Sequence, residues 1–325
     1  MSVKFVLKPA TNRHLQHGTI FRLGRIAVLG WVFACTNATG PTSTSAPDEA
    51  VVATASSTYP NMPAGLTALW QYDGNGLPGG GTLGFKTTNM VLGQAKAFSY
   101  VANTMSAPTV SDAPIDPSQV YNTLYPTGLS GGTTPCAFWA WKDGTHTPVN
   151  EYYEAGWFKL VGPNFEGPGS SGEWKALGYW AVAGAPGSGQ DNDVYQVLGP
   201  TGTTTKTAAG IIASQWYFSV RMQNYAAWTL TGGTVLSNKW YRYEIHMVAN
   251  TVGASNGVLE VWLTDVTDGG SPTKVITSTN RVYRTSSNPA GFWQRTFVPV
   301  WGGSAPVGKT RNDNVEVARI AGFGK

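Results

Sequence analysis

The residues most able to do chemistry lie on three segments that alternate between apolar and polar side chains. In residues 215–223, 240–248 and 258–264 every second side chain is apolar, as in a strand that is buried on one face. The opposite face collects side chains that hold ligands or move protons, namely Tyr217, Arg221, Gln223, Arg242, Glu244, His246, Glu260 and Trp262. A face meant only for solvent would favour Lys, Glu, Thr and Ser. We therefore expect a ligand-binding face; the alternative is a solvated face with ion pairs such as Arg242–Glu260.

His246 is the side chain in this set best suited to move a proton. An imidazole titrates near neutral pH, as a general base should. The only other histidine after residue 34 is His146, in the turn-like segment 143–148. The alternative for His246 is a hydrogen-bonded structural role.

The composition favours a β-rich body that can position such a face. The chain has 40 Gly and 20 Pro among 325 residues, and 12% of its residues are charged, against ~25% in soluble proteins. Coiled coils, helical bundles and charged disordered chains are therefore excluded. From about residue 66, short apolar runs alternate with turn residues. The predicted strands are Tyr152–Leu160, Trp174–Val182, Gln215–Gln223, Trp240–Val248, Val258–Thr264, Thr273–Val282, Phe292–Trp301 and Asn314–Ala321. Because no βαβ alternation is present, these strands predict an all-β, antiparallel two-sheet sandwich or jelly roll.

The N-terminal 35 residues have the pattern of an export signal. Five basic residues and no acidic one precede an apolar run at 26–35, which is shorter than the ~20 residues that span a bilayer. Its end resembles a bacterial lipobox, and Cys35 would then be lipidated after cleavage. We predict a signal or lipoprotein-like leader over 1–35, a Ser/Thr/Pro-rich tether over 36–60 and a jelly-roll domain over 61–325. The protein would then be secreted or held at the outer cell surface; a buried N-terminal strand is the alternative.

The net charge of +4 belongs to this leader. Without residues 1–34 the chain has 22 − 5 = 17 basic and 18 acidic residues, a net of −1. Nucleic acid is therefore not an expected partner. Residues 206–325 remain locally basic, with 12 basic and 6 acidic residues, which suits an anionic glycan.

Other chemistries have weak support in the sequence. Two cysteines make neither a zinc site nor a disulfide scaffold. Asp191 and Asp193 could join a structural calcium site, although a solvated loop is the simpler interpretation. The glycine-rich segments 79–81 and 184–189 lack a following helix or Lys-Ser/Thr, so they are not phosphate-binding loops. We expect no cofactor.

From residue 152 onward, the order of strand motifs resembles that of concanavalin A-like jelly-roll proteins, which include lyases of the alginate, glucuronan and heparin type. The matching pieces are Tyr153-Glu-Ala-Gly-Trp157-Phe-Lys159, residues 239–251, residues 256–263, Val300-Trp-Gly-Gly303 and residues 313–320. Together they extend over roughly half of the chain. Lectins and laminarinase-like domains share this scaffold, so the pattern is more specific for fold than for activity.

The resemblance implies an open groove in which aromatic faces stack on sugar rings and Arg or amide groups bind carboxylates and hydroxyls. In such lyases a base removes the proton next to a neutralised uronate carboxylate, and an acid protonates the leaving oxygen. This implies His246 as base and Tyr217 as acid, with substrate bound by Lys159, Arg221, Gln223, Arg242, Glu244 and Trp262. The sequence Glu244-Ile-His246 is similar to the Gln-Ile-His motif of some alginate lyases. A carboxylate in place of the Gln would repel a substrate carboxylate.

The sequence as a whole predicts an exported protein that acts on a polysaccharide, most simply a lyase that cleaves a uronate-containing glycan by β-elimination. One alternative is a non-catalytic glycan-binding module that uses Tyr217, Arg242 and Trp262. Another is a structural β-sandwich of a phage or surface assembly. A membrane would be a partner only through a lipid anchor at Cys35.

Overall fold

The computed structural model describes residues 58–72, 90–92, 105–106, 108–115, 119–125, 138–140, 147–168, 172–182, 192–207, 210–223, 227–297, 300–301 and 313–325. The predicted leader with Cys35, residues 36–57 of the predicted tether, His146 and Asp191 lie outside these ranges. Within them, no helix has the length and apolar character needed to cross a membrane.

The described residues form seventeen β-strands. They are β1 (Thr67–Tyr72), β2 (Met90–Leu92), β3 (Met105–Ser106), β4 (Tyr121–Tyr125), β5 (Phe138–Ala140), β6 (Glu151–Leu160), β7 (Phe165–Pro168), β8 (Trp174–Val182), β9 (Asn192–Lys206), β10 (Gly210–Met222), β11 (Trp228–Leu236), β12 (Trp240–Val248), β13 (Gly257–Asp265), β14 (Thr273–Arg281), β15 (Phe292–Phe297), β16 (Val300–Trp301) and β17 (Asp313–Gly324).

The strands pair in two antiparallel sheets. Sheet A has eight strands in the order β14-β13-β12-β6-β17-β4-β3, with β1 paired to β17. Sheet B has nine strands in the order β11-β10-β9-β8-β15-β5-β2, with β16 paired to β8 and β7 to β10. The antiparallel two-sheet jelly-roll sandwich predicted from the sequence is confirmed.

The predicted strands agree closely with those of the structure where turn residues bound them. The limits of β8 and β12 match the prediction, and the predicted strand 292–301 divides into β15 and β16. The fifteen-residue β9 is the largest strand that the sequence did not reveal. It contains Gly199, Pro200 and Gly202, which indicate breaks locally, but it pairs along most of its length with β10.

The main core lies between the sheets and confirms the predicted alternation. In β10 the inward side chains are Trp216, Phe218, Val220 and Met222, and in β12 they are Tyr241, Tyr243, Ile245 and Met247. The intervening residues of both strands therefore point away from the core, each toward the outer face of its own sheet.

An ion pair lies within this core and joins the two sheets. Arg295 of β15 and Glu154 of β6 are fully buried, and their side chains meet twice, Nε to Oε2 at 2.7 Å and Nη2 to Oε1 at 2.8 Å. The carboxylate also accepts hydrogen bonds from the Tyr152 and Tyr243 hydroxyls and from the Trp180 indole. Burial alone would lower the pKa of Arg295, but the Glu154 charge outweighs it and the pKa is raised.

A bulge in β8 supplies a further partner of this guanidinium, which also donates to the Thr296 carbonyl at 2.5 Å. Leu177 and Gly178 both have positive φ, 58° and 102°, and the Leu177 carbonyl accepts a hydrogen bond from Arg295 Nη2 at 2.5 Å. A Cβ atom at position 178 would lie 2.0 Å from the Thr296 carbonyl oxygen and 2.4 Å from Arg295 Nη1. Glycine is therefore required where the bulge turns toward the ion pair.

We expect Glu154→Gln to lower the free energy of unfolding by about 3–5 kcal/mol, because it leaves a buried guanidinium without a counter-charge. Chemical denaturation measures this change. The double variant with Arg295→Met should recover a large part of the loss. Lys274→Gln, which breaks the half-exposed pair with Glu260, serves as the control and should cost less than about 1 kcal/mol. A Glu154→Gln loss as small as that of the control would contradict the prediction.

Candidate functional site

The outer face of sheet A carries five of the eight predicted site residues, and the chain itself covers much of it. Residues 58–66 and 110–115 lie against this face. They contribute to a second apolar cluster whose buried members are Tyr59, Leu66, Val120, Tyr153, Ala155, Trp157, Trp240, Ala318, Ala321 and Phe323. Burial raises the pKa of Tyr59 to about 12. Tyr59, which lies within the segment predicted as a tether, is buried in this cluster.

Glu244 and Arg242 form hydrogen bonds and an ion pair beneath residues 58–66. Glu244 has no exposed surface and accepts hydrogen bonds from the Tyr153 hydroxyl at 2.5 Å and from the Asn61 side-chain and backbone nitrogens at 3.0 and 3.2 Å. Arg242 Nη2 lies 3.0 Å from Glu244 Oε1. The carboxylate is therefore held by the chain and does not face a substrate.

Lys159 is held by two carboxylates. Its Nζ lies 2.8 Å from Asp112 Oδ2 and 2.8 Å from Glu316 Oε2, and 4.9 Å from the centre of the Trp240 ring. Burial alone would lower the pKa of Lys159, but the hydrogen bonds to Asp112 and Glu316 outweigh it and the pKa is raised. The ammonium ion stabilises the outer layer of sheet A.

His246 bridges two carboxylates from the neighbouring strands. Its Nε2 lies 3.0 Å from Glu151 Oε1 and its Nδ1 lies 3.1 Å from Glu260 Oε2. Burial alone would raise the pKa of Glu260, but hydrogen bonds from Lys274 and His246 outweigh it and the pKa is lowered. Lys274 also lies 4.7 Å from the centre of the Trp262 ring. Both nitrogens of the imidazole are thus engaged in joining β6, β12 and β13.

The other three predicted residues, Tyr217, Arg221 and Gln223, belong to the opposite side of the molecule. Tyr217 and Arg221 lie on β10, on the outer face of sheet B, and Gln223 follows that strand directly. His246 points outward from sheet A. Stacked sheets lie roughly 10 Å apart, with the core between them. The structure therefore does not bring His246 and Tyr217 together, and the two cannot act as base and acid on one bond.

On sheet B, Tyr217 and Arg221 share one acceptor. The Tyr217 hydroxyl and Arg221 Nη2 both donate to Glu173 Oε1, the latter at 2.8 Å. The Tyr217 ring lies over Gly199, its partner on β9, where a Cβ atom would stand 2.1 Å from Tyr217 Cζ. The Arg221 and Glu173 side chains are 28% and 26% exposed, so an external ligand can reach both.

Lys175 of β8 adds an amine to this face. Its Nζ lies 4.2 Å from the centre of the Tyr195 ring and donates to Gln223 Oε1 at 3.3 Å. Burial lowers the pKa of Lys175 to about 8, while the Asp193 carboxylate acts in the opposite direction. Near pH 8 about half of this amine is neutral and able to accept a proton. We call Glu173, Lys175, Tyr195, Tyr217, Arg221 and Gln223 the sheet B cluster.

Sequence reasoning missed half of this cluster. Lys175 lies in a correctly predicted strand. Its position next to the cluster depends on the register between β8 and β9, in which Lys175 pairs with Val197. Tyr195 lies in β9, which the sequence did not reveal. The alternation of Trp174, Lys175 and Ala176 was the one local signal, since it places the lysine outside the core.

A metal centre has no support in the described part of the chain. There, no group of three or more His, Cys, Asp or Glu side chains is placed to hold a metal ion. The calcium site suggested by Asp191 and Asp193 stays a prediction, because Asp191 is outside the described residues.

Comparison with protein-family models and with curated protein sequences finds no match. Among solved structures, an alginate lyase of Aplysia kurodai is similar, with a TM-score of 0.49 and 11% identity over 68% of this chain and 87% of that one. A glucuronan lyase of Trichoderma reesei is similar with a TM-score of 0.42 and 14% identity, over 73% of this chain and 94% of that one. A carbohydrate esterase of bacteriophage phi24B has a TM-score of 0.39 and 14% identity, over 80% of this chain and 100% of that one. All three TM-scores are below 0.5.

We expect the Lys175 amine to titrate near pH 8, because burial penalises its charged form. NMR of the protein with ¹³C-methylated lysines measures this pKa, and Lys175→Arg assigns the resonance. A Lys175 resonance that titrates only near pH 10, the ordinary value for a lysine side chain, would contradict the prediction.

Proposed function

We propose that the protein is a polysaccharide lyase that cleaves a uronate-containing glycan by β-elimination on the outer face of sheet B. The observation that carries the proposal is the sheet B cluster, in which an amine with a pKa of about 8 lies on the same accessible face as a guanidinium, an amide and a phenol. Export, with or without a lipid anchor at Cys35, stays a prediction of the leader.

The cluster contains the groups that β-elimination requires. Arg221 and Gln223 bind the uronate carboxylate, which makes the neighbouring C5 proton more acidic. The ion pair of Arg221 with Glu173 is partly exposed and therefore weak, so a substrate carboxylate can compete for the guanidinium. The neutral amine of Lys175 takes that proton, the electron pair forms the C4=C5 double bond and the C4–O4 bond breaks. Tyr217 donates its phenolic proton to the leaving oxygen. Lys175 then loses its proton to solvent and Tyr217 regains one, which restores the site.

The shared face also restricts the configuration of the sugar. Lys175 and Tyr217 both project from the outer face of sheet B, so base and acid approach the sugar ring from the same side. The C5 hydrogen and the O4 oxygen must then lie on one side of the ring. Mannuronate and glucuronate meet this condition, whereas guluronate and galacturonate do not.

The test is to incubate the full chain with polymannuronate, glucuronan, polyguluronate and pectate and to follow the ultraviolet absorbance of the unsaturated product. We expect product from polymannuronate or glucuronan. Lys175→Met and Tyr217→Phe should each lower kcat/KM by about 10²-fold or more. Lys206→Met, at an exposed position of neighbouring β9, is the matched control and should leave the rate unchanged. Glycan binding without absorbance would overturn the lyase and leave a binding module.

The pH profile provides a separate prediction. Because Lys175 acts as a base only when neutral, kcat/KM should rise with pH and level off above its pKa of about 8. Initial rates measured across that range check it. A profile that reaches its plateau at pH 6 would contradict Lys175 as the base.

Replacement of His246 tests whether the base is Lys175 of the sheet B cluster or His246, as the sequence predicted. Since its two nitrogens are occupied by Glu151 and Glu260 on the far side of the sandwich, His246→Gln should keep kcat/KM within about threefold of the unchanged protein. Its unfolding free energy, measured in parallel, should fall through the lost strand contacts. A hundredfold loss of turnover in the folded variant would restore His246 as the base.

A further inference from the structure

A cavity of about 570 Å³ opens on the outer face of sheet A, away from the sheet B cluster. Its walls come from Thr58, Pro60 and residues 114–115 and 269–272, and from the strands beneath. Trp157, Arg242 and Thr264 also line it, and they are register partners on the adjacent strands β6, β12 and β13. The volume lies within the range of small-molecule sites, roughly 300–1,000 Å³.

Within the part of the chain that the structure describes, two polar atoms of the cavity lining lack hydrogen-bond partners. Arg242 Nε and Thr264 Oγ1 are buried with no hydrogen-bond partner among the residues that the structure describes. Thr264 is only 6% exposed, so its hydroxyl has lost water without gaining a bond to any described residue. Buried polar groups lower the stability of the folded protein when they have no hydrogen-bond partner. Because Thr264 and Arg242 both line the cavity, a ligand oxygen bound there is the partner that these two groups can gain.

The charge of the cavity is balanced. Arg242 Nη2 lies 3.0 Å from the fully buried Glu244, so the guanidinium contributes hydrogen-bond donors without a free positive charge. Much of the remaining wall is apolar, formed by Pro60, Pro114, Ile115, Val266 and Pro272. A carboxylate would gain little here, whereas a ring with hydroxyls on one side and C–H groups on the other fits both surfaces.

We propose that this cavity binds a neutral sugar unit, at a site independent of the proposed cleavage of a uronate chain on sheet B. It would hold a neutral residue of the glycan, or a neutral glycan beside it, against the opposite face of the sandwich. Arg242, predicted from the sequence to bind the uronate substrate, belongs to this second site.

The experiment uses the full chain carrying Lys175→Met, so that no substrate is turned over. Calorimetric titration with cellobiose, maltose, laminaribiose and mannobiose should detect binding of at least one disaccharide. Ser271→Trp, at an exposed position on the rim, should abolish this binding by filling the cavity. Thr264→Val keeps the shape and removes the hydroxyl, and should weaken binding about threefold to tenfold. Thr277→Trp adds the same bulk at an exposed position of β14 and should change nothing.

Three outcomes would overturn the proposal. They are the absence of binding by every neutral disaccharide, binding that survives Ser271→Trp unchanged, and displacement of the disaccharide by an equal concentration of mannuronate or glucuronate oligosaccharide. None of these bears on the lyase, since its activity is measured on the protein with Lys175 intact. A protein without lyase activity could still show disaccharide binding that is sensitive to Ser271→Trp.

Discussion

The buried pair of Glu154 and Arg295 is the interaction on which the arrangement of the two sheets depends. The carboxylate comes from sheet A and the guanidinium from sheet B, and neither has exposed surface. Two charges removed from water cost several kcal/mol each unless nearly every donor and acceptor is used. Here two phenols and an indole surround the carboxylate, and backbone carbonyls receive the guanidinium. A shift of one sheet along the other would break several of these bonds at once.

The same constraint reaches the sheet B cluster through β8. The bulge at Leu177 and Gly178 turns a carbonyl toward Arg295 and shifts the pairing of β8 with β9, so that Lys175 lies opposite Val197 and Tyr179 opposite Tyr195. Lys175 therefore projects beside the Tyr195 ring because of a backbone irregularity that serves the core. A positive φ at a non-glycine residue is costly. In this strand that cost is offset by the hydrogen bond between the Leu177 carbonyl and Arg295.

Much of the fold could be predicted because alternation is a local property. The strand limits of β12 follow from residues 240–248 alone, and so does the division of that strand into a core side and an outer side. What covers the outer side could not be predicted in this way. Glu244 meets Tyr153, 91 positions away, and Asn61, 183 positions away. The alternation identified the side chains that leave the core, but it could not indicate whether they reach solvent or a second apolar layer.

The difference between the two outer faces explains why a lysine with a lowered pKa is found on one of them. On sheet A, the buried Lys159 forms ion pairs with two carboxylates. Their attraction overcomes the burial penalty and raises the pKa of the amine. On sheet B, Lys175 rests on an aromatic ring and an amide, and Asp193 only partly offsets the penalty. Two lysines of one sandwich therefore have pKa values that are shifted in opposite directions. Burial acts on both, so the number of neighbouring carboxylates decides the direction in which each pKa is shifted.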